Sequence, residues 1–366
     1  MNIHIVRPYP GQRWVSIVRY AASVEQMARS SGHPVAVAQS PWWNPPSVAR
    51  GIARRHWRQP AFGAGRGDIV HFTDQALAHH VGRVERAATV VTCHDWMPFA
   101  LQGFYRTGFE RRLKQAFLRH SRRGLERADL VIAVSGAASV HAREAGVAPE
   151  RLAIVPVALN DEFMGDSPGL AAPALPARPR ILSVGHCKEY KNLDLLLESV
   201  AATPRLGTAA IVRVGERLPR RLRDKAASLG LGDRIVELGY MGGAPLRAVF
   251  DACDVLAQPS RYEGFGMPVA EAMAAGLPVV STDGGGLLET VGAGGLIVPL
   301  EDHLLESTAA DARRFGEALQ QVLDDPQTAE DLRRRGKLRA EALTAESVAP
   351  TLLAAYQAAL ELRERR

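Results

Sequence analysis

Short apolar runs rich in β-branched residues alternate with stretches of helical periodicity along most of this chain, and that alternation restricts its possible folds more than any other feature. Ile3–Val6, Pro34–Val37, Ile69–Phe72, Thr89–Thr92 and Leu130–Val134 read as strands, with a helix near Trp14–Arg29. Strands separated by helices make βαβ units and a parallel sheet covered by helices. The series restarts at Arg180–Val184 and continues through Ala210–Val214, Ile235–Leu238, Val255–Gln258 and Pro278–Ser281. Between the two series, Ser167–Arg180 (SPGLAAPALPARPR) is rich in Pro and Ala and lacks periodicity, so it reads as a linker. The expected organisation is two α/β domains of Rossmann-like parallel-sheet type, residues 1–168 and 181–345, joined by a linker at 169–180. A final helix over Ser347–Arg363 carries Leu352, Leu353, Tyr356, Leu360 and Leu362 near one face. Residues 346–366 are expected to brace the domains and return to the first.

With 46% apolar and 23% charged residues, the chain has the balance of a soluble globular protein. No apolar run reaches the roughly 18 residues of a membrane span. Met1–Val6 enters a strand pattern directly, without the charged head and apolar stretch of a secretion signal, so a cytoplasmic location is expected. Cys93, Cys187 and Cys253 stand far apart with no CxxC spacing, which suggests neither a disulfide framework nor a zinc site.

The net charge of +6 is unevenly spread, because residues 1–170 hold 21 Lys and Arg against 13 Asp and Glu. A basic first half suggests an anionic partner: a phosphate-bearing acceptor, an anionic membrane surface or nucleic acid. No nucleic-acid recognition motif accompanies the charge, so nucleic acid is set aside. Phe104–Arg127 carries eight Lys and Arg against two Glu, interleaved with Phe104, Tyr105, Phe109, Phe117 and Leu118. This pattern fits a solvated basic face on a core-packed helix, or an amphipathic helix on the inner face of a membrane. Trp42, Trp43, Arg54, Arg55, Trp57 and Arg58 form a second mixture, suited to stacking on a sugar and holding phosphate.

The densest chemistry lies in Pro259–Glu289, PSRYEGFGMPVAEAMAAGLPVVSTDGGGLLE. A strand ends before Pro259, a glycine-containing loop follows, and a helix can begin at Pro268, since proline suits the first helical position. Gly276 is a natural residue just past a helix end. Gly264 and Gly266 leave backbone N–H groups uncrowded beside a helix N-terminus, where unpaired amides and the macrodipole attract an anion such as a diphosphate. Glu263 and Glu271 stand eight positions apart, before the loop and in the first helical turn, so both can line one crevice. Carboxylates do not bind phosphate. They accept hydrogen bonds from sugar hydroxyls, which a nucleotide sugar offers on both sides of its diphosphate. Each feature alone has a bland reading as a solvated charge or a turn glycine, so it is the combination that carries the inference. A dinucleotide fingerprint GxGxxG is absent from the first βα turn.

This segment resembles the family 4 glycosyltransferases, whose E-x7-E motif with an internal GFG-P is matched by Glu263, Gly264, Phe265, Gly266, Pro268 and Glu271. The resemblance implies a GT-B fold, two Rossmann-like domains facing a central cleft. It also implies that Glu271 holds the nucleotide ribose, that Glu263 with the Gly264–Met267 backbone addresses the transferred sugar, and that the Asp283–Leu288 loop helps close the site. ILSVGHCKEYKNLDLLLESV resembles the family's opening of the second domain, where an Arg and a Lys bind diphosphate; Lys191 occupies the Lys position and His186 replaces the Arg. TVVTCHDWMPF resembles the strand leading to a His near the transferred sugar, pointing to His94, with Asp95 able to orient it. A core histidine satisfied by backbone, and a surface lysine, are the alternative readings of His94 and Lys191. In the first βα loop, where the family often has a double glycine, this chain offers Pro10, Gly11, Gln12 and Arg13, so Gly11 and Arg13 are candidates for the cleft or acceptor. The family's Pro-Asn-Gly is replaced by Pro156, Val157 and Ala158.

By this resemblance the chain is expected to be a retaining hexosyltransferase acting in the cytoplasm. It would use a UDP- or GDP-linked sugar as donor and a glycan, lipid-linked or small-molecule acceptor, with no cofactor and no metal. A DxD-type acidic pair is absent from the crevice strands, consistent with diphosphate charge being met by Lys191 and helix dipoles. The competing readings are a sugar-nucleotide epimerase of similar fold and a non-catalytic sugar-nucleotide-binding homologue.

Overall fold

A computed structural model describes residues 1–8, 15–39, 63–95, 119, 121–165, 169–303 and 306–366. The chain divides into two compact units, Met1–Ala158 with Ala345–Arg366, and Leu159–Thr344.

The first unit holds six parallel strands: β1 (Ile3–Arg7), β2 (Val35–Gln39), β3 (Ile69–Phe72), β4 (Ala88–Cys93), β5 (Leu130–Ala133) and β6 (Leu152–Ile154), in the order β2-β1-β3-β4-β5-β6. β3, β4 and β5 are buried along their whole length, as expected of inner strands covered on both faces. The edge strands β2 and β6 are short and partly exposed. Helix α1 (Val15–Ser30) buries Tyr20, Ala21, Val24, Met27 and Ala28, the stripe its helical spacing dictates. Helix α2 (Gly136–Glu144) is capped by Ser135, whose hydroxyl accepts from the Ala138 N–H at 3.0 Å.

The second unit repeats the plan with β7 (Arg180–Gly185), β8 (Ala210–Gly215), β9 (Ile235–Glu237), β10 (Val255–Gln258), β11 (Val279–Thr282) and β12 (Leu296–Val298), ordered β12-β11-β10-β7-β8-β9 and all parallel. Its helices are α3 (Leu193–Ala202), α4 (Arg220–Ser228), α5 (Gly243–Ala252), α6 (Met267–Ala274), α7 (Leu287–Val291), α8 (Ala309–Asp324) and α9 (Pro326–Glu341). Ile181, Leu195, Ile211, Val255, Phe315 and Leu332 share one continuous core.

Helix α10 (Ala345–Glu364) packs on α1 and on β3, β4 and β5 of the first sheet. Its buried stripe is Val348, Leu352, Ala355, Tyr356 and Ala359; Leu353, Leu360 and Leu362 are only half-buried, one step round the helix from the face their apolarity suggested. Its end is held by Asp129, fully buried, which accepts from the Thr89 N–H and hydroxyl at 2.8 Å each and from Arg366 at 3.1 Å.

Candidate functional site

In the second sheet the chain runs outward through β7, β8 and β9, returns to place β10 beside β7, and runs outward the other way through β11 and β12. The loops after β7 and β10 therefore diverge from neighbouring strand ends, the switch point at which open parallel sheets bind ligands. The loop after β7 passes through Gly185, His186 and Cys187 to a tight turn, Glu189–Lys191, and Asn192 in the left-handed conformation leads into α3. The loop after β10 carries Ser260 and Glu263.

These two loops meet at Glu263. Its Oε1 accepts from the Lys191 ammonium at 2.5 Å, from Gln258 Nε2 at 2.7 Å and from the Ser260 hydroxyl at 2.7 Å. The Lys191 and Glu263 side chains are only 12% and 10% exposed, so this is a nearly buried ion pair whose carboxylate has neutral donors as well. The Lys191 ammonium also sits 5.5 Å from the Tyr190 ring centroid. The Arg261 N–H donates to the Tyr190 carbonyl at 2.8 Å, tying the loops together through their backbones.

The glycine loop after β11 lies along Glu263. Gly284 C=O accepts from the Glu263 N–H at 3.3 Å, and the Gly286 N–H donates to the Glu263 carbonyl at 2.8 Å. Gly285 between them has φ +63°, and a Cβ there would come within 2.5 Å of the Glu263 carbonyl oxygen, so the approach requires glycine. Gly266 opens α6 with φ +96°, where a Cβ would strike Leu287 at 2.6 Å. The helix starts at Met267, with Pro268 second, so Glu271 falls in its second turn rather than the first and is 1% exposed. Phe265 and Met267 are buried, and the Phe265 carbonyl accepts from the Thr290 hydroxyl at 2.5 Å. Gly264 lies between Glu263 and this turn.

His186 Nδ1 lies 3.0 Å from the Tyr240 hydroxyl and 3.8 Å from Glu216 Oε2, so the residue standing in for an arginine has a carboxylate beside it. Beneath it the buried Arg213 donates to Ser183 and to the Gly185 carbonyl, each at 2.9 Å, and burial lowers the pKa of this guanidinium.

In the first unit the order of strands reverses between β1 and β3. His94 follows β4, and its Nε2 lies 2.9 Å from the Thr73 carbonyl at the end of β3. A carbonyl only accepts, so Nε2 carries the proton and the lone pair of the neutral ring is on Nδ1. Burial lowers the His94 pKa, with the Asp74 carboxylate opposing. Gln75 clamps the loop: its Oε1 accepts from the His94 N–H at 3.0 Å and its Nε2 donates to the Asp95 carbonyl at 2.8 Å. Cys93 is fully buried with a raised pKa, the condition of a packing thiol. Gly11, Arg13, the Trp42–Arg58 mixture and residues 104–118 lie outside the described residues.

Gln258, Ser260, Gln75 and Thr73 were not singled out from sequence. Their one local signal is position, since all four stand at or just beyond the carboxyl ends of β10 and β3.

Two parallel six-stranded sheets with helices on their faces make this an α/β protein of GT-B type. Sucrose-phosphate synthase from Thermosynechococcus elongatus matches it with a TM-score of 0.71 at 20% identity over 98% of both chains. Anabaena HepE in complex with UDP and glucose matches with a TM-score of 0.67 at 18% identity, over 97% of this chain and 98% of that one. In sequence, the model of Glycosyltransferase Family 4 matches residues 14–163 and that of Glycosyl transferases group 1 matches residues 173–339. The chain belongs to the family 4, group 1 glycosyltransferases. It is 27% identical over 288 residues to an MMP alpha-(1->4)-mannosyltransferase of Mycolicibacterium hassiacum, an alignment covering 78% of this chain and 65% of that protein, so it spans just under two-thirds of that relative's length.

Proposed function

We propose that this chain is a retaining, metal-independent hexosyltransferase that takes sugar from a UDP- or GDP-linked donor and passes it to a sugar, glycan or lipid-linked acceptor. The observation that carries this reading is the Lys191–Glu263 pair at the switch point of the second sheet, beside the N-terminus of α6. A cation and helix amides suit a diphosphate. The carboxylates of Glu263 and Glu271 suit hydroxyls of the sugar and the ribose. HepE, of the same fold, was crystallised with UDP and glucose, which supports a nucleotide sugar as donor.

In this reading Lys191 supplies the charge that a metal would otherwise bring to the departing diphosphate. Glu263, fixed through Oε1 by three donors, holds the transferred sugar in one orientation. Neutral His94 offers Nδ1 as an acceptor to a sugar hydroxyl. The acceptor oxygen attacks the anomeric carbon from the face the diphosphate leaves, and the diphosphate oxygen takes the acceptor's proton.

Thermal-shift screening with UDP, GDP, ADP and their hexose conjugates tests the donor assignment. A ligand at 100 times its dissociation constant stabilises by about 2.7 kcal/mol, or roughly 5–10 °C for a domain of this size. A shift with a UDP or GDP series supports the proposal, whereas no shift with any nucleotide overturns it. Transfer that persists in EDTA supports metal independence, and transfer that stops and returns with magnesium refutes it.

A further inference from the structure

Four polar side chains cross the first unit in a single hydrogen-bonded line. The Tyr356 hydroxyl on α10 lies 2.8 Å from His71 Nδ1, His71 Nε2 lies 2.8 Å from Thr92 Oγ1, and Thr92 Oγ1 lies 2.9 Å from the Tyr20 hydroxyl on α1. All four residues are at most 2% exposed. The line ends on the Tyr20 ring, which meets the His94 ring at 4.6 Å between centroids and 87° between planes. Helix α10 thus connects through Tyr356 to His94.

Apolar side chains at these positions would hold α10 on the sheet without the cost of desolvating four polar groups. The polar line does something that simple packing does not. Burial lowers the His71 pKa to about 3, so its ring is neutral. A neutral imidazole has one N–H and one lone pair. The two ring nitrogens therefore take opposite roles: either the Tyr356 O–H donates to Nδ1 and Nε2–H donates to Thr92, or Nδ1–H donates to Tyr356 and the Thr92 O–H donates to Nε2, in which case the Tyr20 O–H donates to Thr92. Removing the Tyr356 hydroxyl takes away the partner that biases the His71 tautomer, and with it the bias passed to the Thr92 and Tyr20 hydroxyls. The last dipole in the line belongs to Tyr20, edge-on to His94, while Thr73 fixes the far side of the same ring.

We propose that Tyr356 and His71 are positioning residues for His94, acting through Thr92 and Tyr20 to fix the orientation of its ring. This inference rests on the glycosyltransferase reading and extends the machinery to α10, about 260 residues further along the chain than His94.

The test is a double-mutant cycle on the full chain. Tyr356→Phe and Thr92→Val are expected to lower kcat about tenfold, the scale of a small misplacement of a reacting group, with KM for the donor unchanged. Thr92→Ser, which keeps the hydroxyl, is expected to restore kcat. In a His94→Ala background the Tyr356→Phe and Thr92→Val changes are expected to have no further effect, because they act only through the missing ring. Equal losses in both backgrounds, or a kcat unaffected by Tyr356→Phe in a folded variant, overturn the proposal. An activity-independent reading is the His94 Nε2–H resonance in ¹⁵N-labelled protein, expected to move in Thr92→Val and return in Thr92→Ser. An unmoved resonance in both also overturns it. A wild-type chain that transfers no sugar refutes the enzymatic reading instead, and leaves the resonance arm to judge the positioning line.

Discussion

Replacing Lys191 by methionine keeps the length of the side chain and removes its ammonium, leaving Glu263 as a charge that is nine-tenths buried. Breaking one partner out of a buried ion pair costs about 3–5 kcal/mol. Gln258 and Ser260 still donate to Oε1 at 2.7 Å each, so the low end, about 3 kcal/mol, is expected. In a domain of this size that lowers Tm by roughly 6–12 °C. In a Glu263→Gln background the amide oxygen can still accept from Gln258 and Ser260 and no charge is stranded, so Lys191→Met is expected to cost only about 1 kcal/mol, a coupling near 2 kcal/mol. Urea unfolding of the four ligand-free proteins, at low and high salt, measures this. The coupling should survive high salt because the pair is largely shielded from solvent. Equal losses in the two backgrounds, or a coupling abolished by salt, would refute the buried pair. The same Lys191→Met variant should bind UDP roughly 10- to 150-fold more weakly, the equivalent of one charged hydrogen bond of about 1.5–3 kcal/mol.

Glu271→Ala should weaken nucleotide binding, whereas Glu263→Gln should leave UDP affinity within a few-fold and abolish transfer; calorimetry showing equal loss of binding in both defeats that division of roles. Gly285→Ala should destabilise by more than about 2 kcal/mol, combining the cost of a left-handed backbone with collision at the Glu263 carbonyl. Gly230→Ala, with φ +72° and no atom within 4 Å of the added carbon, is the control and should cost about 1 kcal/mol; equal losses at the two positions contradict the close approach. His71, its folded pKa lowered to about 3, takes up its proton more readily in the unfolded chain. Its contribution to stability is therefore complete above about pH 6.5 and declines as pH falls toward 3, by about 1.4 kcal/mol per pH unit. Between pH 7 and 5 urea titrations should show the wild-type chain losing about 2 kcal/mol more than His71→Asn, because the burial-lowered His80, His94 and His141 titrate alike in both proteins; an identical drop in both refutes the assignment.

The strands were legible because buried parallel strands read as unbroken apolar runs, and Ile69–Phe72 and Val255–Gln258 fall where the sequence places them. Glu263, Gly266 and Glu271 were singled out because glycine and carboxylate spacing around one helix start is a local pattern, and Lys191 because its segment resembles the family's opening of the second domain; the structure sets Lys191 against Glu263. Their other partners were not singled out. Gln258 and Ser260 acquire meaning only when β10 is set beside β7, a pairing the sequence does not order. The same holds for His71 and Tyr356, which meet across 285 positions. The helical stripe of α10 was misjudged by one step because hydrophobicity alone put Leu360 and Leu362 on its inner face, where Ala355 and Ala359 allow the close packing on the sheet. Glu271 moved to the second turn because Gly266, with φ +96°, lets the helix start one residue before its proline.

In the proposed reaction the Lys191–Glu263 site holds a nucleotide sugar and its sugar is transferred with retention. NMR analysis of the products, from incubations with UDP- and GDP-hexoses in the presence and absence of acceptor sugars, tests it most directly. The expected product is a glycosylated acceptor whose new linkage keeps the anomeric configuration of the donor, and it is lost in Glu263→Gln. An epimerised nucleotide sugar from donor alone, or an inverted linkage in the product, would contradict it.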